Sequence, residues 1–442
     1  MQAKVCKFGG SSLADASQIA KVARIVRSDP DRRYVVPSAP GKRTKDDRKI
    51  TDLLYLCHEA AAQQVAFDEA WELVASRYRQ IVADLGLTLD IDAKLDEVHG
   101  NIAAPGSTAD YAASRGEYLN GVIIAELLGY TFVDAAQIIF FNDRGRLDEQ
   151  RTYEVMGKRL AEAGRAVVPG FYGSTPDGQV KTFSRGGSDI SGAIVARAVG
   201  ASVYENWTDV SGLLMADPRI VEIPRAIETI TYRELRELSY SGATVLHDEA
   251  VFPVRAAGIP VNIRNTNIPD DPGTTIIKGD DTSKVVSGAI TGIAGRKDFT
   301  IIALEKALMN AELGYGRKLL EVFEDHGVNF EHMPSGIDTM SVIVADGEVK
   351  GRLDKLIEEI DQECHPDSIE VDNELAVIAT VGRGMMHTPG MAAKLFGALA
   401  GAGVNIRMID QGSSELNIIV GVENEDFERT VRTIYNDFVL RS

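Results

Sequence analysis

Short apolar segments alternate with longer amphipathic ones through roughly residue 265 of the chain. The short segments are typical of buried strands, and in the longer ones apolar residues recur every three or four positions, as in helices. The predicted strands are AKVCKF, RYVVPSA, TFVDAA, AVVPGFYG, ASVYENWTDV and PVNIRNT. The predicted helices are SQIAKVARIVRS, ITDLLYLCHEAAAQ, FDEAWELVASRYRQIVADLG, RGEYLNGVIIAELLG, YEVMGKRLAEAG, IVARAVGA, TYRELRELSYSG and EAVFPVRAAG. This alternation predicts an α/β fold with a largely parallel sheet and helices on both of its faces.

The pattern changes after this first region. The segment NIPDDPGTTIIKGDDTSK is rich in Pro, Asp, Gly and Thr, and we interpret it as a link between two regions. Beyond it one pattern occurs twice without gaps, at an offset of 76 residues. The repeated residues are Met309, Lys318, Leu319, Gly327, Val328, Asn329, Gly336 and Val344, which recur as Met385, Lys394, Leu395, Gly403, Val404, Asn405, Gly412 and Val420. Each copy predicts a small βαββαβ module.

Composition and charge narrow the classes of function. The 442 residues are 44% hydrophobic and 25% charged, as in a soluble globular protein of about three domains. The formal net charge of −18 argues against a nucleic acid or an anionic membrane as partner, and an anionic substrate would need a local positive site or a metal ion. Cys6, Cys57 and Cys364 have no metal-binding spacing. Their spacing predicts reduced thiols. The sequence shows no signal-peptide pattern and no long apolar run, so we expect a cytoplasmic protein without a membrane span.

A glycine pair follows the first predicted strand, in KFGGSS at residues 7–12. Glycines let backbone N–H groups approach a ligand closely, and the start of a following helix favours an anion. The motif is not a Walker A loop, because its lysine, Lys7, precedes the glycines. From the end of the strand the Lys7 amine could reach phosphate oxygens, and the alternative is a tight strand–helix turn with a surface lysine.

A second glycine pair lies in SRGGSDISG, again before a helix-like run. Arg185 offers a planar fork suited to a carboxylate or a phosphate, and the two glycines expose backbone donors. Ser188 and Asp189 either cap the next helix or, in the case of Asp189, bind an ammonium group or a Mg-bound water. One glycine loop could therefore hold a small zwitterion while the other holds phosphates.

A third polar segment is NWTDVSGLLMADPR. A predicted strand delivers Thr208 and Asp209 to a turn, and Arg219 follows a proline. Such a turn could seat the base and phosphates of a nucleotide, although Asp-Pro and Ser-Gly turns are common in loops of any function.

In combination these motifs resemble those of the aspartate kinases. KFGGSS, the RGE of ASRGEYLNG, SRGGSD and WTDVSGLLMADPR occur in that family's order, and the two repeated modules resemble tandem ACT domains. The resemblance covers essentially the whole chain. It implies the amino-acid kinase fold, a three-layer sandwich with a mostly parallel central sheet, followed by two ferredoxin-like ACT domains. The implied bounds are 1–285 for the catalytic domain, 286–372 for the first ACT domain and 373–442 for the second, with an early strand at 286–294 that can belong to the second.

The resemblance implies transfer of a phosphoryl group from ATP, with Mg, to the side-chain carboxylate of L-aspartate. This is the first step toward lysine, threonine and methionine. The implied catalytic residues are Lys7, Gly9, Gly10, Ser11 and Asp189. The implied aspartate-binding residues are Ser38, Thr51, Glu117, Arg185, Gly186, Gly187 and Ser188. Within that set, Arg185 would pair with a carboxylate and Glu117 would lie near the ammonium group. The implied nucleotide contacts are Thr208, Asp209, Leu214, Arg219 and Thr244, and no residue is assigned to a metal.

Three positions depart from the pattern of the family. Leu214 stands where the family often has a tyrosine, and Thr244 stands where many members have a lysine, which removes a phosphate contact. His247-Asp248 replaces a common His-Pro pair. The charged stretch KRTKDDRK at 42–49 is either a mobile lid or a solvated surface loop, and we favour the surface loop.

The implied reaction needs no general base, because the attacking carboxylate has an ordinary pKa of about 3.9 and is ionised at neutral pH. Among the seven histidines His247 is the best placed, and we assign it a structural role. The difficulty is instead that a carboxylate must approach a phosphoryl group of the same charge. We expect Lys7, the backbone donors of the glycine loops and Mg to supply the compensating charge.

The resemblance also implies feedback control. ACT domains pair across a dimer and bind an amino acid at the interface, so we expect a homo-oligomer, a dimer or a dimer of dimers, inhibited by lysine, alone or together with threonine. Glu331 of the first copy corresponds to Arg407 of the second, and only a carboxylate suits a cationic effector. We therefore expect only the first copy to take lysine, and the alternative is that both are surface charges. The implied effector contacts are Met309, Asn310, Asn329, Glu331 and Ser335.

Two other functions stay open from the sequence. A glutamate, acetylglutamate or UMP kinase would share the fold but lack the ACT pair and the full set of motifs. A non-catalytic amino-acid sensor is the second alternative, since Leu214 and Thr244 depart from the family pattern. The length of the chain is expected to exclude a fused homoserine dehydrogenase.

Overall fold

The computed structural model describes residues 3–184, 186–243, 248–279 and 290–441. The chain divides into two compact units. The first comprises the described parts of 1–213, 226–232 and 245–285, and the second those of 214–225, 233–244 and 286–442. The strands are β1 (Lys4–Phe8), β2 (Arg32–Pro37), β3 (Thr131–Phe132), β4 (Ala166–Val167), β5 (Tyr172–Ser174), β6 (Val180–Thr182), β7 (Val203–Thr208), β8 (Leu213–Leu214), β9 (Ala226–Ile227), β10 (Thr229–Thr231), β11 (Val261–Asn265), β12 (Thr274–Ile277), β13 (Gly292–Glu305), β14 (Thr339–Ala345), β15 (Ser368–Val381), β16 (Met408–Asp410) and β17 (Asn417–Glu423).

The helices alternate with these strands in the first unit and flank them in the second. They are α1 (Ala16–Arg27), α2 (Ile50–Ala62), α3 (Asp68–Asp84), α4 (Ile91–Ala103), α5 (Ala109–Leu128), α6 (Glu149–Ala163), α7 (Gly187–Ala198), α8 (Tyr232–Tyr240), α9 (Phe252–Ala257), α10 (Tyr315–Asp325), α11 (Asp346–Val349), α12 (Leu353–Cys364), α13 (Met391–Gly401) and α14 (Phe427–Tyr435). Within the described part of the chain, no helix combines the length and the apolar character that crossing a membrane requires.

A single large sheet organises the first unit. Its eight described strands run in the order β10-β12-β11-β7-β1-β2-β4-β3. All neighbours in this order pair in parallel, except that β11 and β12 are antiparallel. The predicted α/β fold with a mostly parallel central sheet is confirmed. Strand β1 lies near the middle, between β2 and β7, so its carboxyl end meets those of both neighbours.

The two faces of β1 explain where the core of the first unit lies. Cys6 and Phe8 are fully buried and belong to a cluster of apolar side chains that includes residues of α1 to α5. Lys7, between them, points to the opposite face because side chains alternate along a strand. Helix α1 covers the apolar face with Ile19, Val22 and Val26, and the Asp15 carboxylate caps its start by accepting a bond from the Gln18 N–H.

Several elements of the first unit were not predicted, among them the short strands β6, β9 and β10. Strand β12 lies within the segment that we interpreted as a link, and it pairs with β10 and β11. Its four residues, TTII, lie among residues typical of turns, so the sequence pattern did not indicate a strand there. Helix α4 was also missed, although its apolar residues Ile91, Leu95, Val98 and Ile102 follow the helical period and are buried.

The second unit is built on an antiparallel sheet. Its five described strands run in the order β14-β13-β15-β17-β16, and every neighbouring pair is antiparallel. Strands β13 and β15 have 14 residues each and pair along most of their length. The start of β13, at Gly292, pairs with Val381 at the end of β15. The first part of β13 therefore lies beside the second copy of the repeat, as the expectation for an early strand at 286–294 suggests.

The internal repeat is confirmed by the positions of equivalent elements. Helices α10 and α13 begin and end at residues that the repeat aligns, Tyr315 with Met391 and Asp325 with Gly401. After each helix the backbone turns at a glycine with positive φ, Gly327 and Gly403. The repeated methionines, Met309 and Met385, are buried in separate apolar clusters. The chain therefore carries two copies of one α+β module.

Candidate active site

The two glycine motifs of the first unit meet at the carboxyl end of β1. Lys7 is only 7% exposed, and its Nζ lies 2.6 Å from Oδ1 of Asp189, which belongs to the first turn of α7. The amide of Asn206 on β7 donates to the same carboxylate oxygen at 2.8 Å. Lys7 and Asn206 are register partners on the adjacent strands β1 and β7. Sheet register and the start of α7 therefore fix the position of the buried ammonium group.

The side chain of Asp189 points at Lys7 and does not cap its own helix. The N-cap of α7 is Gly186, which adopts a left-handed conformation with φ of 57° and has no side-chain cap bond. The capping role that we considered for Ser188 and Asp189 is therefore wrong. A Cβ on Gly187 would lie 2.3 Å from the ring of Phe171, so this start of α7 requires a glycine. Arg185 lies outside the described residues.

The KFGGSS turn brings backbone against backbone. The Gly9 N–H donates to the carbonyl of Trp207 at 3.0 Å, and a Cβ on Gly9 would lie 3.6 Å from the Lys7 ammonium nitrogen. A short 3-10 turn, Gly10–Leu13, follows instead of a long helix. Ser11 is exposed, whereas Ser12 is buried and shares a 2.8 Å hydrogen bond with the hydroxyl of Thr266. Ser11 is therefore the hydroxyl of this turn that is open to a ligand.

A second loop packs against the glycine turn from the end of β2. The Ser38 N–H donates to the carbonyl of Phe8, and the Gly41 N–H donates to the carbonyl of Gly10 at 2.8 Å. A Cβ on Gly41 would lie 2.5 Å from the carbonyl carbon of Gly10, so any other residue at this position forces the two backbones apart. The Asn120 amide on α5 donates to the carbonyl of Ser38 at 2.7 Å and holds the loop from behind.

Glu117 brings a buried carboxylate to the same loop. It lies on α5 and is 6% exposed, and its Oε2 is buried without a hydrogen-bond partner. Burial raises the pKa of Glu117 to about 7, although the Ala39 N–H and the charges of Arg115 and Lys7 act in the opposite direction. A buried carboxylate with one free oxygen is costly, and it provides an acceptor for a cationic group of a ligand.

Comparisons with known proteins show the family of the chain. The model of the amino acid kinase family matches residues 2–265, and that of an ACT domain matches residues 378–438. Aspartokinase 3 of Bacillus subtilis is 40% identical over 98% of each chain. The chain belongs to the aspartokinase family. The family resemblance inferred from its motifs is thus confirmed, together with the kinase activity that it implies and the combination of an amino acid kinase fold with ACT domains.

Solved aspartokinase structures resemble the whole chain. That of the Clostridium acetobutylicum aspartate kinase has 55% sequence identity and a TM-score of 0.93, and it covers 99% of both chains. E. coli aspartokinase III has been solved in complex with aspartate and ADP, with 26% identity, a TM-score of 0.73 and 99% of both chains covered. Its complex with lysine and aspartate has 25% identity and a TM-score of 0.77, and covers 99% of this chain and 100% of that one.

The residues that aspartokinase motifs suggest for the nucleotide are divided between the two units. Thr208 and Asp209 follow β7 in the first unit, where the Thr208 hydroxyl donates to the Asp209 carboxylate at 3.2 Å. Leu214 and Arg219 belong to the second unit. The Arg219 guanidinium is 88% exposed and forms an ion pair with Asp217. Thr244 and His247 lie outside the described residues, so their roles stay predictions.

The candidate effector residues of this aspartokinase-family chain lie in two segments of the first ACT copy, a 3-10 turn before α10 and the segment between α10 and β14. Asn310, Asn329 and Ser335 are exposed, whereas the Met309 side chain is buried in the core, so Met309 could offer an effector only its main chain. Glu331 already has a partner, since Nη2 of Arg296 lies 3.1 Å from its carboxylate.

The equivalent residue of the second copy, Arg407, pairs with two carboxylates, those of Asp372 and Glu423. The charge difference between the copies is therefore present in their structures, with a carboxylate at one position and a paired guanidinium at the other.

Sequence reasoning missed several residues that shape the aspartokinase site. Asn206 directly precedes Trp207 at the end of β7, and a polar residue in a buried strand was the available signal. Arg115, the first residue of the RGE motif, is buried among the rings of Tyr111, Tyr118 and Tyr172, with 4.5 to 5.1 Å from its guanidinium carbon to their centroids. Thr51, by contrast, was among the residues that the resemblance implied, and it is half-buried in the first turn of α2, whose neighbouring Ile50 packs beside Gly116 of α5.

Proposed function

We propose that the site at the end of β1 transfers the γ-phosphoryl group of ATP to the side-chain carboxylate of L-aspartate. The observation that carries this proposal is the meeting of a buried ammonium group, Lys7, with two glycine turns at the centre of a parallel sheet. The E. coli relative, whose structure contains aspartate and ADP, supports the identity of the substrates. In open parallel sheets ligands bind beyond the carboxyl ends of the strands, as required here.

Glu117 binds the ammonium group of aspartate in this proposal. Its Oε2 is buried and has no hydrogen-bond partner, so a cation at that position would satisfy the oxygen and offset the cost of its charge. Ser38, whose N–H already donates to the Phe8 carbonyl, and the exposed Ser11 are proposed to offer their hydroxyl groups from the adjoining loops. Thr51 lines the entrance from α2. Arg185, with Gly186, Gly187 and Ser188, receives the α-carboxylate, because a guanidinium fork matches a carboxylate in two hydrogen bonds.

Lys7 stabilises the phosphoryl group in flight. The attacking carboxylate is already ionised, so the catalytic demand is on positive charge and on position. Asp189 and Asn206 hold the Lys7 side chain in one place, which saves the cost of ordering a flexible lysine in the transition state. The Gly9 N–H already donates to the Trp207 carbonyl and fixes the turn, and the backbone N–H of Gly10 is proposed as the further donor to phosphate oxygens.

The nucleotide is proposed to bring its own magnesium ion, as the MgATP complex that is the substrate. Among residues 3–184, 186–243, 248–279 and 290–441, no group of three or more His, Cys, Asp and Glu side chains could hold a metal ion by itself. The nearest carboxylate to Lys7, that of Asp189, is already bound to two donors. Thr208 and Asp209 at the end of β7, with Leu214, Arg219 and Thr244, are the proposed contacts of the nucleotide.

The second unit is proposed to bind the inhibitory effector and to join subunits. Lysine, which is present in one structure of the E. coli relative, is the proposed effector, alone or together with threonine. It would lie near Asn310, Asn329, Glu331 and Ser335 of the first ACT copy. Large apolar side chains nearby are exposed in the single chain, since Leu313 is 98% and Leu308 is 72% exposed. Their burial against a second copy favours a dimer, or a dimer of dimers, through the ACT domains.

The proposed location of the protein is the cytoplasm. The proposed domains are a catalytic domain at 1–285 and ACT domains at 286–372 and 373–442. Its three described cysteines are free and buried, which suits a reducing compartment.

A coupled assay of ADP release tests the proposed function. The purified full chain is given MgATP and, in turn, L-aspartate, L-glutamate, N-acetylglutamate and UMP. Of the four acceptors, only aspartate is expected to give turnover. Turnover with any other acceptor, or no turnover with aspartate, would overturn the proposal. In the Lys7→Ala variant kcat is expected to fall by about 10²- to 10³-fold, as for loss of one transition-state donor. If only the KM for aspartate rises, Lys7 binds substrate and has no part in the chemical step.

A further inference from the structure

A buried arginine joins the two loops that form the back of the proposed site. Arg77 lies on α3 and is 5% exposed. Its Nη1 donates to the carbonyl of Gly41 at 3.1 Å and to the carbonyl of Ala14 at 3.4 Å. Its Nη2 donates to the carboxylate of Asp47 at 2.5 Å. One guanidinium thus connects the end of the glycine turn with both ends of the segment between Gly41 and Asp47.

The hydrogen bonds of Arg77 depend on loops outside its own helix. None of the three lies on α3, and its Nε is buried without a hydrogen-bond partner. A buried guanidinium whose acceptors leave is strongly destabilised, because its charge stays in a medium that cannot solvate it. The cost of burying the Arg77 charge therefore favours the conformation in which Ala14, Gly41 and Asp47 stay in contact with its guanidinium.

Asp47 closes the charged stretch 42–49 on itself. Its carboxylate accepts from the backbone N–H and the Nε of Arg43, at 3.0 and 3.1 Å, as well as from Arg77. Partial burial raises the pKa of Asp47, but the hydrogen bonds from Arg43 and the charge of Arg77 outweigh it and hold the pKa well below its usual range. The carboxylate therefore stays ionised, and its ion pair with Arg77 persists, at any pH near neutrality.

The pair of Arg77 and Asp47 is linked to the glycine turn by one more hydrogen bond, through Gly41. The residue whose carbonyl accepts from Arg77, Gly41, donates its own N–H to Gly10 at 2.8 Å. The two backbones are so close that a Cβ on Gly41 would lie 2.6 Å from the Gly10 carbonyl oxygen. A loop that moves away at Gly41 would therefore release the turn that carries the proposed phosphate donors.

We propose that Arg77 and Asp47 form a clamp that holds the 42–49 loop shut against the glycine turn and so positions the turn for phosphoryl transfer. The inference rests on the proposed function of that turn. Arg77 is a positioning residue, which acts on the reacting atoms through Gly41 and Gly10. In this proposal the stretch 42–49, for which we considered a mobile lid or a solvated surface loop, is an anchored loop, whose lysine and arginine side chains are at its surface while its Asp47 points inward.

The loop provides its own probe, because five trypsin sites fall within eight residues, Lys42, Arg43, Lys45, Arg48 and Lys49. In the full-length wild-type chain these bonds are expected to be cut slowly. In Asp47→Asn cleavage within 42–49, located by mass spectrometry, is expected to be about tenfold faster, while other bonds are cut at the wild-type rate. The matched control is Asp46→Asn, which removes the same charge from an exposed neighbour and is expected to leave cleavage unchanged.

Kinetics distinguish positioning from mere folding. In Asp47→Asn and Arg77→Lys, kcat with aspartate is expected to fall about 10- to 100-fold, since a displacement of about 1 Å can cost 10²-fold in rate, while the KM for aspartate changes less than threefold. Lysine, which lacks the guanidinium fork, cannot reach all three acceptors. The double variant should be no slower than the worse single one.

Three results would overturn the clamp. They are unchanged trypsin cleavage in Asp47→Asn, faster cleavage with wild-type kcat, or a kcat loss that follows a lower melting temperature and vanishes once the folded fraction is corrected for. Failure of the proposed function looks different, because the wild-type chain would then be inactive with aspartate while the cleavage difference between the Asp47 and Asp46 variants persists.

Discussion

Replacing Glu117 by glutamine separates what its buried charge costs the fold from what it gives to substrate binding. The carboxylate is buried on α5 with one oxygen unpartnered, and burial raises its pKa from 4.5 to about 7. Glutamine has nearly the same shape and no charge. The variant is therefore expected to be more stable than the wild type without substrate and yet unable to hold the ammonium group of aspartate.

The magnitude and sign follow from proton linkage. Between pH 4.5 and about 7 the folded state holds a proton that the unfolded state has lost, so the free energy of unfolding of the wild type falls as pH rises through this window. A pKa rise of this size corresponds to about 3 kcal/mol. The glutamine variant lacks this loss. Its advantage is expected to be close to zero at pH 4.5 and to reach about 3 kcal/mol above pH 7.5.

Thermal unfolding of wild type, Glu117→Gln and a control, without ligands, at pH 5 to 8.5, measures the difference. The control is Glu126→Gln, an exposed glutamate on the same helix, and its curve should run parallel to that of the wild type. Addition of aspartate should raise the melting temperature of the wild type, since a ligand bound only to the folded state stabilises it, and should leave that of Glu117→Gln unchanged.

The two halves of the prediction can fail separately. If the advantage of Glu117→Gln does not grow between pH 5 and 8, the carboxylate carries no burial penalty and the physical reasoning is wrong. If aspartate stabilises the variant as much as the wild type, Glu117 does not contact the substrate. In the wild type, kcat/KM for aspartate should also bend near pH 7 and decrease on the acid side, because the protonated carboxyl no longer attracts an ammonium group.

Two further predictions concern the loops and the effector. Gly41→Ala should lower kcat by at least tenfold and reduce stability by about 1–3 kcal/mol, because its Cβ would meet the Gly10 backbone at 2.5 Å, whereas Gly100→Ala, with nothing within 4 Å, should be harmless in both kinetics and melting. Glu331→Gln should weaken lysine binding in calorimetric titration by about tenfold, as expected for one lost charge-assisted contact, and Arg407→Gln should not; undiminished affinity in the first variant rejects the proposed effector contact.

The two glycine motifs could be recognised from the sequence because each is a local pattern, whereas their meeting at the end of β1 was not predicted. Lys7 lies near the end of β1, but the helix of Asp189 follows β6, which pairs antiparallel with β5 outside the large sheet, so the rule for parallel strands does not place the two side chains together. The ion pair between Lys7 and Asp189 was not predicted, because it depends on the start of α7 at Gly186, which leaves the Asp189 side chain without a capping role. The internal repeat could be predicted from the sequence, since both copies keep their glycine turns and helix bounds.

Other features depend on contacts between segments that are distant in sequence. The glycine at 41 looks like an ordinary loop residue, and only the approach of Gly10 to within van der Waals distance shows why it has no side chain. Arg77 has the position of a surface arginine in an amphipathic helix, yet it is buried because its acceptors come from two other loops. Strand β12 has only four residues and lies in a polar context, so periodicity cannot distinguish it from a loop.

The charges of the site explain why it departs from the rules that hold elsewhere in the fold. A buried carboxylate normally finds a partner within the protein, as Glu205 does with Arg32 at 2.8 Å beneath the same sheet. Oε2 of Glu117 does not, although Arg115 and Lys7 are near enough to affect the pKa of this carboxyl group. A partner within the chain would have to be displaced by each substrate molecule, at a cost to affinity. In the proposed function, the unpaired oxygen instead lowers the stability of the fold without substrate, and binding of the ammonium group offsets that loss.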